Sequence, residues 1–320
     1  MGVWPGDDRH SLRPGHQQER PARLIESRIK GGGKAMCARQ LGMVGLGLLG
    51  TALAERFLRA GHAVVGFDLE PARGRLLASL GGTPATSLRD VARSCERLVL
   101  SLPDTPAVER VLEEMTADLR TGMLIADTTT GDPERTAELG ARLAARGVRY
   151  VDATVAGSSE QVRAGEVVVL VGGERTAGEA CADLFACFAR QWFHLGPWGS
   201  GARMKLVVNL VLGLNRASLA EGLAFARAFG LDLDETLRVL QAGPAHSRVM
   251  DSKGRKMIER DFRPQARLSQ HLKDVRLILA ESERLPAKVP LSTLHRQLLE
   301  ILERAGYGAE DNSAIIRAYD

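Results

Sequence analysis

A lysine and an asparagine stand one helical turn apart in an otherwise apolar stretch. Lys205 and Asn209 follow the glycines of Gly199-Ser-Gly201, and no proline occurs from there to Pro244. This pattern predicts the start of a long, mostly buried helix. Residues four apart share one face of a helix, so both polar side chains project the same way. A lysine in apolar surroundings is costly to bury unless it faces a cleft, a partner or a substrate.

A second group of residues predicts a dinucleotide site. Gly45, Gly47 and Gly50 follow an apolar strand at residues 40–44 and open a helix, and a second strand ends at Asp68, 18 positions beyond Gly50. Gly45 permits a tight turn, Gly47 lets the backbone approach a pyrophosphate, and Gly50 allows close helix packing. The free N–H groups of the helix N-terminus bind phosphate.

The same loop suggests which cofactor binds. Besides the three glycines, its predicted contacts are Leu46, Leu48 and Leu49. Asp68 can accept hydrogen bonds from both ribose hydroxyls of NAD, and its charge would repel a 2′-phosphate. Arg73 and Arg75 follow it closely. We therefore expect NAD, with NADP possible.

Strands and helices alternate through the first half of the chain, and helical periodicity continues to the end. The alternation predicts an α/β fold, with an N-terminal Rossmann-type, doubly wound, mostly parallel sheet. Pro103, Thr129 and Thr130 follow predicted strands and are candidates to line the cofactor, although strand-end and capping roles would explain them equally well. The glycines around residues 196–199 mark a boundary between a nucleotide-binding domain at 39–197 and an all-α domain at 198–320.

Composition and charge narrow the class of protein. The chain is 44% hydrophobic and 26% charged, as in ordinary soluble proteins, and its uninterrupted apolar runs are shorter than the ~18 residues of a membrane span. Residues 1–35 hold seven Lys/Arg and four Asp/Glu, which is +3 of the net +4, so no basic nucleic-acid-binding face is predicted. The four cysteines lack metal-ligand spacing, which favours reduced thiols, no metal site and a cytoplasmic location.

Residues 1–38 are predicted to form a disordered tail. The first 35 are rich in Gly, Pro, Arg and Gln, without apolar periodicity. Gly-Gly-Gly-Lys at residues 31–34 would suit a purine-rich ribosome-binding site read as protein, and our hypothesis is that Met36 is the natural start. Peptides from residues 1–35 in mass spectra of the native protein would contradict it.

Taken together, these motifs resemble the β-hydroxyacid dehydrogenase family, which includes 3-hydroxyisobutyrate dehydrogenase and tartronate semialdehyde reductase. The resemblance runs from about Leu41 to the C-terminus. The motifs that carry it are Gly45-Leu-Gly47-Leu-Leu-Gly50, Leu102-Pro103-Asp104, Asp127-Thr-Thr-Thr130 with Pro133, Gly199-x-Gly201-x-x-x-Lys205-x-x-x-Asn209 and Lys273-Asp274. The last two, placed after a Rossmann half, are quite specific.

The resemblance implies hydride transfer between a nicotinamide cofactor and a short hydroxyacid or its semialdehyde. It makes Lys205 the general acid/base, a role that suits a buried lysine with a lowered pKa. Asn209 would orient the substrate or the lysine, Lys273 would close over the nicotinamide, and Asp274 would anchor its helix. The implied cofactor contacts also include Leu102, Pro103 and Thr130, and the implied substrate contacts are Gly157, Ser158, Lys205 and Asn209.

The sequence departs from the family pattern near the expected substrate. Ala156 stands where the family has a serine that binds the substrate carboxylate, which removes one hydroxyl donor. The N–H groups of Gly157 and Ser158 remain, and the hydroxyls of Ser158 or Ser159 are possible replacements. Arg56 takes the place of a frequent asparagine, and Ala266 the place of an aromatic residue, which would widen the pocket.

Two other functions share this architecture. Imine reductases replace the lysine with aspartate or tyrosine, so Lys205 argues against that reaction. Non-catalytic binding modules on the same fold lose the lysine and add reader or DNA-binding segments. The family also forms dimers or tetramers through its helical domain, so a homo-oligomer is expected, with a small-molecule substrate and no nucleic-acid or membrane partner.

Overall fold

The first half of the described chain folds around one eight-stranded sheet. The structure is a computed structural model, and it describes residues 40–320. The strands are β1 (Gln40–Val44), β2 (Ala63–Phe67), β3 (Thr83–Pro84), β4 (Arg97–Leu100), β5 (Leu124–Asp127), β6 (Arg149–Ala156), β7 (Val167–Gly173) and β8 (Ala189–His194). The predicted tail at residues 1–38, and Cys37 within it, lie outside the described residues.

The sheet has the order β3-β2-β1-β4-β5-β6-β7-β8. Neighbouring strands run parallel from β3 to β6, whereas β7 runs antiparallel to β6 and parallel to β8. The chain leaves β1 toward β2 on one side and later returns to β4 on the other. In such sheets, ligands bind at the carboxyl ends of the strands beside this reversal. The predicted fold class, a mostly parallel Rossmann sheet followed by an all-α part, is confirmed.

Helices cover both faces of the sheet. They are α1 (Leu48–Arg59), α2 (Pro71–Ser79), α3 (Leu88–Ser94), α4 (Thr105–Glu114), α5 (Pro133–Ala144), α6 (Ser159–Ala164), α7 (Arg175–Glu179) and α8 (Ala182–Ala186). The side chains of successive strand residues point to opposite faces of the sheet. Met43 lies in the core under α1, and Val44 lies in the core under α3.

The second half is helical. Its helices are α9 (Ser200–Ala228), α10 (Leu233–Ala242), α11 (Arg255–Glu259), α12 (Leu268–Arg284) and α13 (Pro290–Arg304), with a π-helical turn at Met250–Gly254 and 3-10 segments at Tyr307–Ala309 and Asn312–Tyr319. The long helix predicted to start after Gly199 is α9, of 29 residues. It ends at Ala228, before the positive φ of Gly230, and α10 follows.

Helix α9 connects the two halves of the fold. It packs against β6 and β7 at its start and against α12, α13 and the last 3-10 segment along its length. Among residues 40–320 it is the one helix that satisfies the length and composition of a membrane span, a test that core helices also pass. Because it buries Lys205, Asn209 and Arg216 against protein, we interpret it as a core helix.

Candidate active site

The glycine loop after β1 is shaped to receive an anion. Gly45 has a φ of +87°, and a Cβ there would lie 2.3 Å from the Ser101 carbonyl oxygen. A Cβ on Gly50 would lie 2.0 Å from the Gly45 carbonyl oxygen, whereas one on Gly47 would meet nothing within 4 Å. The first turn of α1 has no acidic residue and no side-chain cap. No side chain therefore caps its N–H groups, which leaves them available for a bound phosphate.

Asp68 lies against this loop. Its Oδ2 accepts a hydrogen bond of 2.7 Å from the backbone N–H of Leu46, and its Oδ1 accepts one of 2.9 Å from Glu70. The carboxylate is thus fixed at the end of β2, beside the helix N-terminus. Arg73 is bound at 3.1 Å to the Glu70 side chain, which holds it close to the same edge. This placement fits the ribose-binding role predicted for Asp68.

The ends of β4 and β5 are tied together. Thr129 Oγ1 accepts a hydrogen bond of 3.1 Å from the Leu102 N–H. Asp127 in turn accepts hydrogen bonds from the Thr129 N–H, at 2.9 Å, and from the Tyr150 hydroxyl, at 2.8 Å. Burial raises the pKa of the Asp127 carboxyl. These bonds fix the loops that carry Pro103 and Thr130, both predicted to line the cofactor.

Lys273 reaches these loops from the helical half. Its ammonium donates to the carbonyl oxygens of Pro103, at 3.2 Å, and Thr130. It also lies 2.9 Å from Asp274 Oδ1 as an ion pair, without the angles of a hydrogen bond. Gln270, which no sequence motif selects, donates to the same Pro103 oxygen at 3.1 Å. Helix α12 is therefore joined to the strand ends where the nicotinamide is expected.

Asp152 fixes the start of α9. Its two carboxylate oxygens accept hydrogen bonds from the N–H groups of Gly199, at 3.0 Å, and Ala202, at 2.9 Å. Burial raises the pKa of Asp152 to about 6. A Cβ on Gly201 would lie 2.5 Å from the Leu170 carbonyl oxygen and 2.8 Å from that of Asp152. The glycines of the lysine motif thus allow α9 to begin directly against β6 and β7.

Lys205 and Asn209 lie one helical turn apart on the buried face of α9, as predicted. Lys205 is 8% exposed and Asn209 5%. Asn209 donates a hydrogen bond of 2.8 Å to Asp274 Oδ2, whereas the Lys205 ammonium has no hydrogen-bond or ion-pair partner within residues 40–320. Burial, above all, lowers the pKa of Lys205 to about 8, and the charges of Lys273 and Arg216 act in the same direction against the attraction of Asp274.

The predicted substrate loop follows β6. The Ser158 N–H donates to the Gln161 side chain at 2.9 Å, and the Ser158 hydroxyl accepts from the Gln161 N–H at 3.3 Å, so a capping box at the start of α6 already uses this residue. The expectation that the Ser158 N–H stays free is therefore not met here. Ser159 is buried and donates its hydroxyl to the Gln265 carbonyl oxygen at 3.4 Å. Among the predicted donors, the Gly157 N–H and the Ser158 O–H remain.

Other predicted features have structural partners. Arg56 donates to the carbonyl oxygens of Cys187, at 2.7 Å, and Arg163, at 3.2 Å, and so ties α1 to α6 and α8. His194 bonds the Gly173 carbonyl oxygen through Nε2 at 2.9 Å. The described part of the chain contains no cluster of three or more His, Cys, Asp or Glu able to hold a metal ion.

Comparisons with known proteins agree with this geometry. Residues 40–196 match the family model described as the NAD binding domain of 6-phosphogluconate dehydrogenase. Residues 199–319 match the model described as NAD-binding of NADP-dependent 3-hydroxyisobutyrate dehydrogenase. The two models together span nearly all of the described chain.

Individual proteins are also similar to this chain in sequence and structure. The chain is 30% identical to the 2-hydroxy-3-oxopropionate reductase of Escherichia coli over 88% of its own length and 97% of that enzyme. It is 28% identical to human cytokine-like nuclear factor N-PAC, covering 88% of this chain and 51% of that protein. A crystal structure of 3-hydroxyisobutyrate dehydrogenase from Salmonella typhimurium superposes with a TM-score of 0.81 at 26% identity, over 87% and 99% of the two chains. The chain therefore belongs to the β-hydroxyacid dehydrogenase family and is an NAD(P)-dependent oxidoreductase of hydroxyacids.

Proposed function

We propose that the protein transfers a hydride between nicotinamide and a short β-hydroxyacid or its semialdehyde, with Lys205 as general acid/base. The observation that carries this proposal is the Lys205 amine itself. It is buried without a partner in the described residues, its pKa is lowered to about 8, and it lies beside the Asn209–Asp274 pair. A general base works best when its pKa is near the operating pH.

The cofactor supplies the hydride acceptor or donor, and the chain supplies proton transfer and position. In the oxidation direction, neutral Lys205 takes the proton from the substrate hydroxyl as the carbon loses its hydride. In reduction, protonated Lys205 returns the proton to the carbonyl oxygen. Asn209, whose amide is held by Asp274, orients the substrate or the lysine. Lys273 closes the nicotinamide side, where it contacts the carbonyls of Pro103 and Thr130.

The cofactor contacts follow from the loops around α1 and the ends of β4 and β5. We propose that Gly45, Leu46, Gly47, Leu48, Leu49, Gly50, Asp68, Leu102, Pro103, Thr130 and Lys273 form this surface. The open space above Gly47 and the carboxylate of Asp68 support it. Because Asp68 is negative and would face a 2′-phosphate, we propose that NAD is preferred over NADP.

The proposed substrate site offers few hydrogen-bond donors and carries a positive charge. The Gly157 N–H and the Ser158 hydroxyl would meet the substrate carboxylate, while Lys205 and Asn209 meet its hydroxyl. With Ala156 in place of a hydroxyl donor, we expect weaker selection for the carboxylate than a serine there would provide.

We also propose how the chain is organised and where it acts. Residues 39–197 would form the cofactor domain and 198–320 the substrate domain, a division that the separate family matches support. The apolar side chains on the outer face of α9, including Val207, Val211 and Phe225, are exposed and would be covered in a homodimer or homotetramer. Free thiols at Cys95, Cys181 and Cys187 suit the cytoplasm.

The first experiment is a spectrophotometric screen at 340 nm. Short hydroxyacids, including 3-hydroxyisobutyrate, glycerate and 4-hydroxybutyrate, are offered with NAD or NADP, and the semialdehydes with NADH or NADPH. Lys205→Ala is expected to abolish turnover and to retain cofactor affinity. Unchanged turnover in this variant would refute the mechanism.

The second candidate is a binding module without turnover on the same fold, and it is kept because a nuclear factor, N-PAC, is among the similar proteins. The two differ in the outcome of the screen. If neither cofactor binds, the binding module is favoured. If cofactor binds and no acid reacts, imines and carbonyl compounds without a carboxylate are the next substrates to test.

A further inference from the structure

A buried arginine lies behind Lys205, Asn209 and Asp274. Arg216 is 3% exposed and is on the same face of α9, seven residues beyond Asn209. Two helical turns correspond to ~10 Å along the axis. Helical side chains generally lean toward the N-terminus, which for Arg216 is the side of Gly213 and of the site.

Two histidines pack on α9 at Gly213, between the positions of Asn209 and Arg216. A Cβ on Gly213 would lie 2.5 Å from His271 Nε2 and 2.8 Å from His295 Cε1, so the imidazoles, from α12 and α13, pack directly on the helix backbone. Their ring centres are 5.1 Å apart. The Nε2 atoms of both rings, and Nε and Nη1 of Arg216, are buried without a hydrogen-bond partner in the described part of the chain.

Arg216 also has no ion pair within residues 40–320. The two carboxylates that attract it already contact other cations. Asp274 lies 2.9 Å from Lys273, and Asp311 lies 2.9 Å from Lys253. Burial lowers the pKa of Arg216 to about 10, so it remains charged at neutral pH. An unpaired buried cation destabilises a fold, and therefore stability does not explain this residue.

The charges around Arg216 do not cancel. The groups whose charges act on Arg216 or on Lys205, from their own helix and from the elements packed on it, are Lys205, Lys253, Lys273, Asp274, Asp311, His271 and His295. Burial and Arg216 lower the pKa of both histidines, to about 4 for His295, so both are neutral. Four cations, counting Arg216, therefore face two carboxylates. The net charge of this group is +2 when Lys205 is protonated and +1 when Lys205 is neutral.

We propose that Arg216 is a positioning residue of the reaction. Its fixed charge behind Asp274 biases Lys205 toward the neutral amine that accepts the substrate proton, and the remaining single excess charge favours a substrate with one carboxylate. The inference rests on the proposed function, in which Lys205 is the acid/base. The residue acts through Lys205 and Asp274 without touching the reacting atoms.

Arg216→Met tests the proposal, because methionine fills part of the same space without charge. Removing one positive charge raises the pH at which Lys205 loses its proton. With charges ~10–15 Å apart and an effective dielectric constant of ~20, the acid limb of kcat/KM for oxidation should move up by roughly one pH unit. At pH 7 this corresponds to a loss of roughly tenfold in kcat/KM. The melting temperature is expected to stay equal or rise.

A second measurement does not depend on turnover. Acylation of Lys205 by a small amine-reactive reagent, followed across pH by mass spectrometry, gives its protonation midpoint directly. That midpoint should rise in Arg216→Met. Arg276→Met is the matched control, because Arg276 is half exposed on the outer side of α12 and pairs with Glu300. This control should leave the midpoint and the acid limb unchanged.

The outcomes separate the two proposals. An unmoved midpoint in a folded Arg216→Met protein, or a lower melting temperature without any change in the pH profile, would overturn the role of Arg216. If that variant fails to fold, Arg216→Gln is measured in the same way. Absence of wild-type turnover would count against the proposed function alone, since the acylation midpoint still tests Arg216.

Discussion

Asn209 donates its side-chain amide to Asp274 across 2.8 Å, and this buried bond joins α9 to α12. The two helices carry Lys205 and Lys273, so the bond fixes the acid/base lysine relative to the lysine on the nicotinamide side. Asp274 is also the carboxylate that attracts Lys205 and opposes the effect of burial on its pKa. One side chain thus contributes to both the geometry and the charge of the site.

Asp274→Asn separates these two contributions, since asparagine retains an oxygen that can accept from Asn209 but has no charge. Without that charge the pKa of Lys205 should fall below about 8, and the acid limb of oxidation should move to lower pH, opposite to Arg216→Met. We expect kcat to fall roughly tenfold because Lys273 loses its ion pair. Rate profiles from pH 5 to pH 10 measure both effects.

The control for this change is Asp234→Asn, at an exposed carboxylate on α10 that pairs with Arg255. Its pH profile should match the wild type. An acid limb that stays in place in Asp274→Asn would mean that Asp274 does not influence Lys205. A double-mutant cycle with Asn209→Ala is expected to be non-additive, because the two residues share one bond.

The wild-type enzyme should show opposite pH dependence in the two directions. Oxidation needs neutral Lys205, so kcat/KM should rise as pH increases through about 8. Reduction needs the protonated amine, so its rate should fall as pH increases through the same range. Initial rates in both directions on one substrate pair check this. If the rates of oxidation and reduction both rose, or both fell, as pH increased through this range, the acid/base role would be contradicted.

Much of the fold could be predicted because its signals are local. The glycine spacing from Gly45 to Gly50 and the apolar strands predicted the sheet, and the four-residue interval predicted that Lys205 and Asn209 share a face. Each of these depends on backbone geometry within one element. The sequence also identified the Lys273-Asp274 pair, although only through resemblance to a family.

The partners across elements could not be predicted. Asp152 accepts from the start of α9, 47 residues further on, and Asp274 accepts from Asn209, 65 residues earlier. Gln270 bonds the Pro103 carbonyl oxygen in the loop after β4, 167 residues earlier. Nothing local marks such pairs, because an aspartate at a strand end suits several roles equally. Arg216 was missed for the same reason, since its lack of a counter-ion within residues 40–320 is visible only in three dimensions.

The glycine of the lysine motif provides a stability prediction. Gly201→Ala adds a Cβ 2.5 Å from the Leu170 carbonyl oxygen, which is backbone and cannot turn away. The start of α9 must shift, and the unfolding free energy should fall by roughly 1–3 kcal/mol. Because Lys205 is one turn further on, kcat should fall as well. Thermal melting and initial rates measure these effects.

Gly222→Ala is the matched control on the same helix. A Cβ at Gly222 would meet nothing within 4 Å, so alanine should raise the unfolding free energy by roughly 0.5–1 kcal/mol through its better helix propensity. Similar melting temperatures for the two variants would show that the close contact at Gly201 does not constrain α9.

Asp68 gives a prediction about cofactor choice. Asp68→Asn keeps an oxygen that can accept from the Leu46 N–H, so the glycine loop should hold its shape. The negative charge that would repel a 2′-phosphate is lost, and the ratio of kcat/KM with NAD to that with NADP should fall by roughly tenfold, about 1.4 kcal/mol. Glu70→Gln removes an exposed carboxylate two residues away and should change the ratio much less. If both substitutions shift the ratio equally, the general negative charge of this edge sets the preference. If neither does, discrimination comes from the shape of the loop, and the arginines Arg73 and Arg75 become the next residues to replace.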